Sequence, residues 1–377
     1  MLIRRYLFFF FILNILLCEK SSQILENNNF INLAIDKLYN YDFDSTSYYL
    51  DLAYIENKNH PLIPFLNTTN SWLSTQSDLG FESSYLNIRN SIKENIPIYK
   101  KLINEFPDNA EYFLYLGSLY GLEARIELAR SNWLKAFFST RKGNNYIVRA
   151  YELNPELTDV YLPLGLISYY TCISNPFIKF VAKISGIKFE CDKSIEYLEI
   201  ASQKSSFAYI ESSNLLSYIY LYMDKNYDKA LTKISPLVDK FPNHPFFPFI
   251  EAECLIKLGR YDDFNKKVKN LNRFLKVESN IVADECQAKL NYLFGLKLYY
   301  DNKYNESIIY FDKVINNYNL EFNWLLGLSY YYKSLNNLKN KDLDSAKSDL
   351  KSVIAIDFKF PEKDLAYKLL EDLNDVK

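Results

Sequence analysis

Apolar residues recur at helical spacing along nearly the whole chain, and strand-like alternation is scarce. Between residues 209 and 242, Leu215, Leu216, Ile219 and Tyr220 mark one apolar face. A polar turn, Asp224-Lys225-Asn226, leads to Tyr227, and Ala230, Leu237 and Pro242 follow at three, ten and fifteen residues after it. Residues 288–319 keep the same plan. Gly295 stands nine residues before Tyr304, with Ser307 and Val314 three and ten after it. Residues 245–276 repeat it around Gly259-Arg260-Tyr261. No Asn-Gly or Asp-Gly hairpin dipeptide interrupts the pattern. The expected element is a helical hairpin, recurring in phase.

Each position in the plan has a mechanical reason. A small residue in the first helix lets the second pack close to it, and the aromatic after the turn fills the wedge between the two. The small residue three later permits crossing with the next unit. The proline stops the second helix, because it has no N–H for the ladder. These spacings resemble the tetratricopeptide repeat, a helix–turn–helix unit of about 34 residues. The resemblance covers most of residues 30–361 and implies an all-α fold, an α-solenoid of seven or eight stacked units. The units expected are 30–61, 65–107, 111–155, 158–206, 209–242, 245–276, 288–319 and 321–361, with a C-terminal capping helix over 362–377. Residues 62–92 read as two helices with a loop between them, and Pro97 as a kink or a helix start.

Departures from the standard length carry information. Gly117 to Trp133 is 16 residues where Gly295 to Tyr304 is nine, and Ala136 to Pro155 is 19 where Ala230 to Pro242 is 12. Both helices of that unit have gained seven residues, close to two turns, which preserves the buried face. Gly327 to Leu343 spans 16 as well. A long hairpin should protrude near residues 111–153. The stretch 117–143 resembles a signature of exported bacterial repeat proteins, which implies architecture and no particular activity. The fourth unit is interrupted by an insert, 171–190, with Lys179, Lys183 and Lys188, no acid before Glu190, and Phe177, Ile178, Phe180, Val181 and Ile184 on an apolar side. It reads either as a short amphipathic helix touching a membrane or a partner, or as a loop-helix folded into the concave side.

The N-terminus has a different pattern. Arg4 and Arg5 precede an apolar run from Tyr6 to Leu17, too short to span a bilayer. Residues 1–18 are expected to be a signal peptide and 19–29 a flexible tether. Ile15-Leu16-Leu17-Cys18 resembles a bacterial lipoprotein box, which makes Cys18 a lipidation candidate. Leu17 departs from the small residue expected there, and ordinary cleavage or an uncleaved anchor fits the same segment. Either cleavage route implies an exported, periplasmic or cell-envelope location. Cys172 and Cys191 flank the insert and could pair in an oxidising compartment. The alternative is that they, Cys254 and Cys286 are small buried hydrophobes.

Composition narrows the function. The 377 residues are 49% hydrophobic and carry 44 basic against 46 acidic side chains, a balance that argues against nucleic acid as partner. The two histidines, His60 and His244, each precede a proline and read as surface turn residues, so no metal site is expected. No phosphate loop or nucleophile motif is present, so no cofactor and no enzymatic activity is expected. The first helix of each unit should line a concave groove. Four residues after Gly165, Gly295 and Gly327 stand Tyr169, Tyr299 and Tyr331, and Tyr222 stands four after Tyr218 at the equivalent position; three before the small position stand Phe249, Tyr292 and Trp324. Glu111, Asp159, Glu253 and Glu321 fall on the same face. Tyrosine offers a stacking face and a hydroxyl at low entropy cost. The expected function is a protein- or peptide-binding scaffold, with membrane contact only through the N-terminal anchor. The alternative is a small-molecule receptor or transport-associated subunit whose pocket is closed by the long helices and the insert.

Overall fold

The computed structural model describes residues 29–276, 280–356 and 360–375. The expected signal, Cys18 and all of the tether before Asn29 lie outside the described residues. Eighteen α-helices and no strand occur among the described residues. They pair as α1 (Asn29–Tyr39) with α2 (Phe43–Glu56), α3 (Ile63–Leu79) with α4 (Phe81–Glu105), and α5 (Ala110–Ala129) with α6 (Trp133–Leu153). In the fourth unit α7 (Tyr161–Ile173) pairs with α9 (Ser194–Lys204), and α8 (Pro176–Ile184) lies between them. There follow α10 (Tyr209–Tyr218) with α11 (Tyr227–Lys240), α12 (Phe247–Lys257) with α13 (Tyr261–Leu271), α14 (Asn280–Tyr300) with α15 (Tyr304–Asn316), and α16 (Trp324–Lys339) with α17 (Leu343–Ala355). Helix α18 (Pro361–Asp375) closes the stack. The eight hairpins stack into an α-solenoid.

One turn builds most of the hairpins. Tyr41, Ser131, Lys225, Gly259, Asn302 and Lys341 all have φ between 54° and 69° at the end of the first helix. A left-handed residue there lets the chain reverse and satisfy the last carbonyls. The next residue's N–H then reaches back five positions, as Asp42 N–H does to the Lys37 carbonyl (2.9 Å), Lys303 to Leu298 (2.9 Å) and Asp342 to Asn337 (2.9 Å). That same residue often caps the second helix: Asp42, Asn226 and Asp342 accept from the N–H groups of Ser45, Lys229 and Ser345. Only one of the six turns uses glycine, so five L-residues hold a costly conformation that the flanking helices impose.

Glycines set the distance between paired helices. A Cβ on Gly117 would lie 2.7 Å from Ile147 Cδ1, and one on Gly143 would lie 2.8 Å from the Gly117 carbonyl. The two long helices therefore touch backbone to backbone. Gly165 and Gly295 leave the same room for Leu198 and Phe311 of their partner helices.

Several boundaries differ from the sequence reading. Helices α3 and α4 meet at Gly80 with no loop between them, and Pro97 lies inside the 25-residue α4. Pro97 and Lys93 are both exposed there, so the hydrogen bond the proline cannot make is lost on the solvent side of the helix. Helix α14 starts eight residues before the expected unit. Trp133 does not fill a wedge. It is 64% exposed, and the equivalent Leu343 is 52% exposed, because both head helices extended past their neighbours.

The cysteines divide. Cys172 and Cys191 form a disulfide, and Cys254 and Cys286 are buried thiols. His244 is buried, not a surface turn residue. Its ring stacks on Phe247 at 3.5 Å, and its Nδ1 accepts from the Phe246 and Phe247 N–H groups.

Candidate functional site

The concave face folds in on itself. The first turn packs across the superhelix: the Tyr39 hydroxyl donates to Glu211 (2.7 Å), and the Tyr41 ring meets the His244 and Phe246 rings edge-on. Arg125 forms two hydrogen bonds with Glu321 (2.9 and 2.7 Å), although 196 residues separate them. The guanidinium also lies over the Trp72 ring at 4.6 Å, and Tyr85 donates to the same Glu321 (2.6 Å). Planar bidentate geometry makes this the strongest single link between early and late units.

The predicted aromatics converge on the interior that this closure creates. Glu253 accepts from the hydroxyls of Tyr222 (2.6 Å) and Tyr292 (3.0 Å). Lys257 lies 3.5 Å from the same carboxylate, with both side chains buried, and donates to the Tyr332 hydroxyl (3.0 Å). Trp324 packs against Tyr222 with ring centres 5.1 Å apart. Tyr222 reaches this position through a π-helical turn, Ile219–Met223, whose extra residue lengthens the following turn so that Asn226 N–H bonds Tyr220, six positions back. A second pair, Lys289 and Glu285 (2.7 Å), sits nearby with the ammonium 3.9 Å from the centre of the Phe246 ring.

Burial sets the protonation states. It pushes the hydroxyls of Tyr222 and Tyr292 well above their ordinary pKa, with Glu253 adding to the shift, so both remain donors. Burial also raises the Glu253 carboxyl, opposed by Lys257 and the two hydroxyls. Burial works against the Lys257 charge, but Glu253 together with Tyr300, Tyr227 and Glu362 more than offsets it and raises the ammonium above its ordinary pKa. Removing either member would leave an uncompensated buried charge.

Four of the seven expected groove residues, Tyr222, Phe249, Tyr292 and Trp324, therefore line one interior cavity of ≈ 20 Å³. That is room for about one water. Phe249 and Tyr292 are 3% and 1% exposed, so both are core residues and not groove contacts. Three of the four acids expected on the face are taken up as well: Glu253 and Glu321 as above, and Asp159 by the N–H groups of Ser206, Phe207 and Ala208. Tyr169, Tyr299 and Tyr331 remain half-buried, the first two toward the ends of α7 and α14 and the third midway along α16. Sequence reasoning missed Lys257 and Arg125, whose partners are set by the closure. It also passed over the paired tyrosines Tyr169-Tyr170, Tyr299-Tyr300 and Tyr331-Tyr332, a legible repeat four and five residues after a glycine.

The insert does not fold into the concave side. Ala182 and Ile187 are buried, but Phe177, Phe180 and Ile184 face solvent. Among the described residues, no group of three or more His, Cys, Asp or Glu side chains is placed to hold a metal. No described helix is long and apolar enough to cross a membrane.

No family model matches the chain, and no curated protein matches it. Among solved structures, yeast Tom70 aligns with 95% of this chain and 84% of its own at 12% identity and a TM-score of 0.41. The human IFIT1 dimer with PPP-AAAA aligns with 94% of this chain and 85% of its own at 16% identity and a TM-score of 0.37. A tetratricopeptide repeat protein from Parabacteroides merdae aligns with 92% and 98% at 14% identity and a TM-score of 0.26. Overlaps this loose decide nothing by themselves. The recurring left-handed turn, the glycine contacts and the eight stacked hairpins do. The fold is a tetratricopeptide-like α-solenoid. The solenoid's own side chains fill most of its concave face.

Proposed function

We propose that this chain is a non-enzymatic scaffold of the cell envelope that holds a protein or peptide client at the rim of the filled interior. The observation that carries the reading is a repeated aromatic step. In three units, adjacent tyrosines stack edge to face: Tyr169 on Tyr170 (5.6 Å), Tyr299 on Tyr300 (5.3 Å) and Tyr331 on Tyr332 (5.6 Å). Their surroundings connect. The Tyr169 hydroxyl is pushed up to about 12 by burial, with Asp224 adding to the shift. Lys225, next in the chain, pairs with Glu362 (3.3 Å). Burial likewise pushes the Tyr331 hydroxyl up to about 12, with Glu362 and then Tyr299 contributing. The half-buried rings of Tyr169 and Tyr331 thus lie near charges of both signs. An extended peptide with apolar anchors and mixed charge suits such a surface. What supports export is the basic and apolar pattern of residues 1–18 together with the Cys172–Cys191 disulfide, which suits an oxidising compartment.

The test is affinity capture from the native envelope, followed by calorimetry on the purified client. Tyr169→Ala/Tyr299→Ala/Tyr331→Ala should weaken the client by about tenfold or more while the fold is kept. Equal affinity for wild type and the triple variant would contradict the rim as the binding surface.

A further inference from the structure

Two neighbouring features lie on one edge of the solenoid, where first helices end and second helices begin. One is the tip of the α5–α6 hairpin and the other is α8. The Tyr151–Tyr161 ring contact sets the end of α6 beside the start of α7, so the end of α7 runs back toward the α6 tip before α8 begins. Helix α8 is held firmly there. The Cys172–Cys191 disulfide staples its root. Asn144 of α6 exchanges two hydrogen bonds with the Lys188 backbone (3.1 and 2.9 Å).

Both features expose large apolar side chains: Trp133, Leu134 and Phe138 at the hairpin tip, and Phe177, Phe180 and Ile184 on α8. Phe177, Phe180 and Ile184 are spaced along one face of the helix. The two segments that carry them are basic, although Glu127 and Glu123 of α5 face the hairpin through Asn132 and Ser139. Residues 128–151 carry Arg130, Lys135, Arg141, Lys142 and Arg149 and no acid; residues 171–189 carry Lys179, Lys183 and Lys188 and no acid. The whole chain, by contrast, has a formal net charge of −2. Glu152 takes up only Arg149 (3.7 Å) and Lys188 (3.3 Å).

We propose that the α5–α6 tip and α8 together form a docking surface for an anionic lipid bilayer. Aromatic and aliphatic side chains would enter the headgroup boundary while lysine and arginine stems reach out to lipid phosphates. A protein partner would more often be met by charges of both signs with a polar rim. A predominantly basic surround with an aromatic centre is what a uniformly anionic interface selects.

Hydrogen exchange on the full chain tests this segment by segment, so an N-terminal anchor does not obscure the result. Vesicles of phosphatidylcholine with phosphatidylglycerol should slow exchange in residues 130–142 and 174–188, and pure phosphatidylcholine should not. Trp133→Ser/Phe177→Ser/Phe180→Ser/Ile184→Ser should lose that protection about tenfold or more with an unchanged melting temperature, because all four side chains are already exposed. Equal protection on both vesicles, none on either, or protection only by an acidic envelope protein would overturn the proposal.

Discussion

The interior around Glu253 and the edge carrying α8 are built from the same materials, aromatic rings and cations, yet one is sealed and the other faces solvent. The difference is the supply of carboxylates. Inside, Lys257 has Glu253, Lys289 has Glu285, and Arg125 has Glu321. At the edge, eight cations share two segments that contain no acid. A cation with a partner can leave water together with the rings around it, whereas one without a partner keeps its neighbourhood hydrated. Aromatic content alone therefore did not mark an exposed surface in this chain. Aromatic content with unmatched charge marks the exposed one.

The comparison can be broken most severely at Lys257. Lys257→Met should destabilise the protein by about 3–5 kcal/mol, because Glu253 is left buried and unpaired. Glu253→Leu/Lys257→Met should recover most of that loss, and a denaturation double-mutant cycle measures the coupling. A single variant costing no more than a surface substitution would mean the interior is wet. Next in size is Gly143→Ala, at the base of the protruding hairpin. The new methyl would meet the Gly117 carbonyl 2.8 Å away, so the helices must separate, at a cost of about 1–3 kcal/mol. Wild-type stability in that variant would show that α5 and α6 do not touch there.

The third test is a pH dependence. Burial lowers the His60 imidazole from 6.5 to about 4, and lowers His244 well below its ordinary value, with Lys289 adding to the second shift. The unfolded chain then binds more protons than the folded one below about pH 6.5. Stability should fall as pH drops from 6.5 toward 4. Each Nδ1 accepts a backbone N–H near a helix start, from Leu62 and from Phe246 and Phe247. His60→Asn/His244→Asn keeps an acceptor and removes the titration, so its denaturation midpoint should vary less over that window. An unchanged slope would assign the acid sensitivity to carboxylates instead.

The hairpins were legible in the sequence because they are local. Gly295 meets Phe311 only 16 residues later, and the two-turn extension of α5 and α6 shows directly in residue counts. The interior was half legible. Counting from the equivalent positions Tyr218 and Gly295 placed Tyr222 and Tyr292 on the concave side, but whether that side is open depends on how tightly the superhelix coils. The coil is fixed by contacts such as Arg125 with Glu321 and Tyr85 with Glu321, separated by 196 and 236 residues, which no periodicity reports. The insert was legible in chemistry and not in direction. Its apolar and basic residues were plain, but their outward orientation follows from the disulfide and from Asn144 gripping Lys188.

Tyrosine nitration of the folded chain, read residue by residue, tests the filled interior most directly. Tyr48, Tyr54 and Tyr170, all at least half exposed, should react quickly, while Tyr222 and Tyr292 stay unmodified until the chain unfolds. Reaction of Tyr222 and Tyr292 at the rate of Tyr170 would show an open groove and contradict the closure.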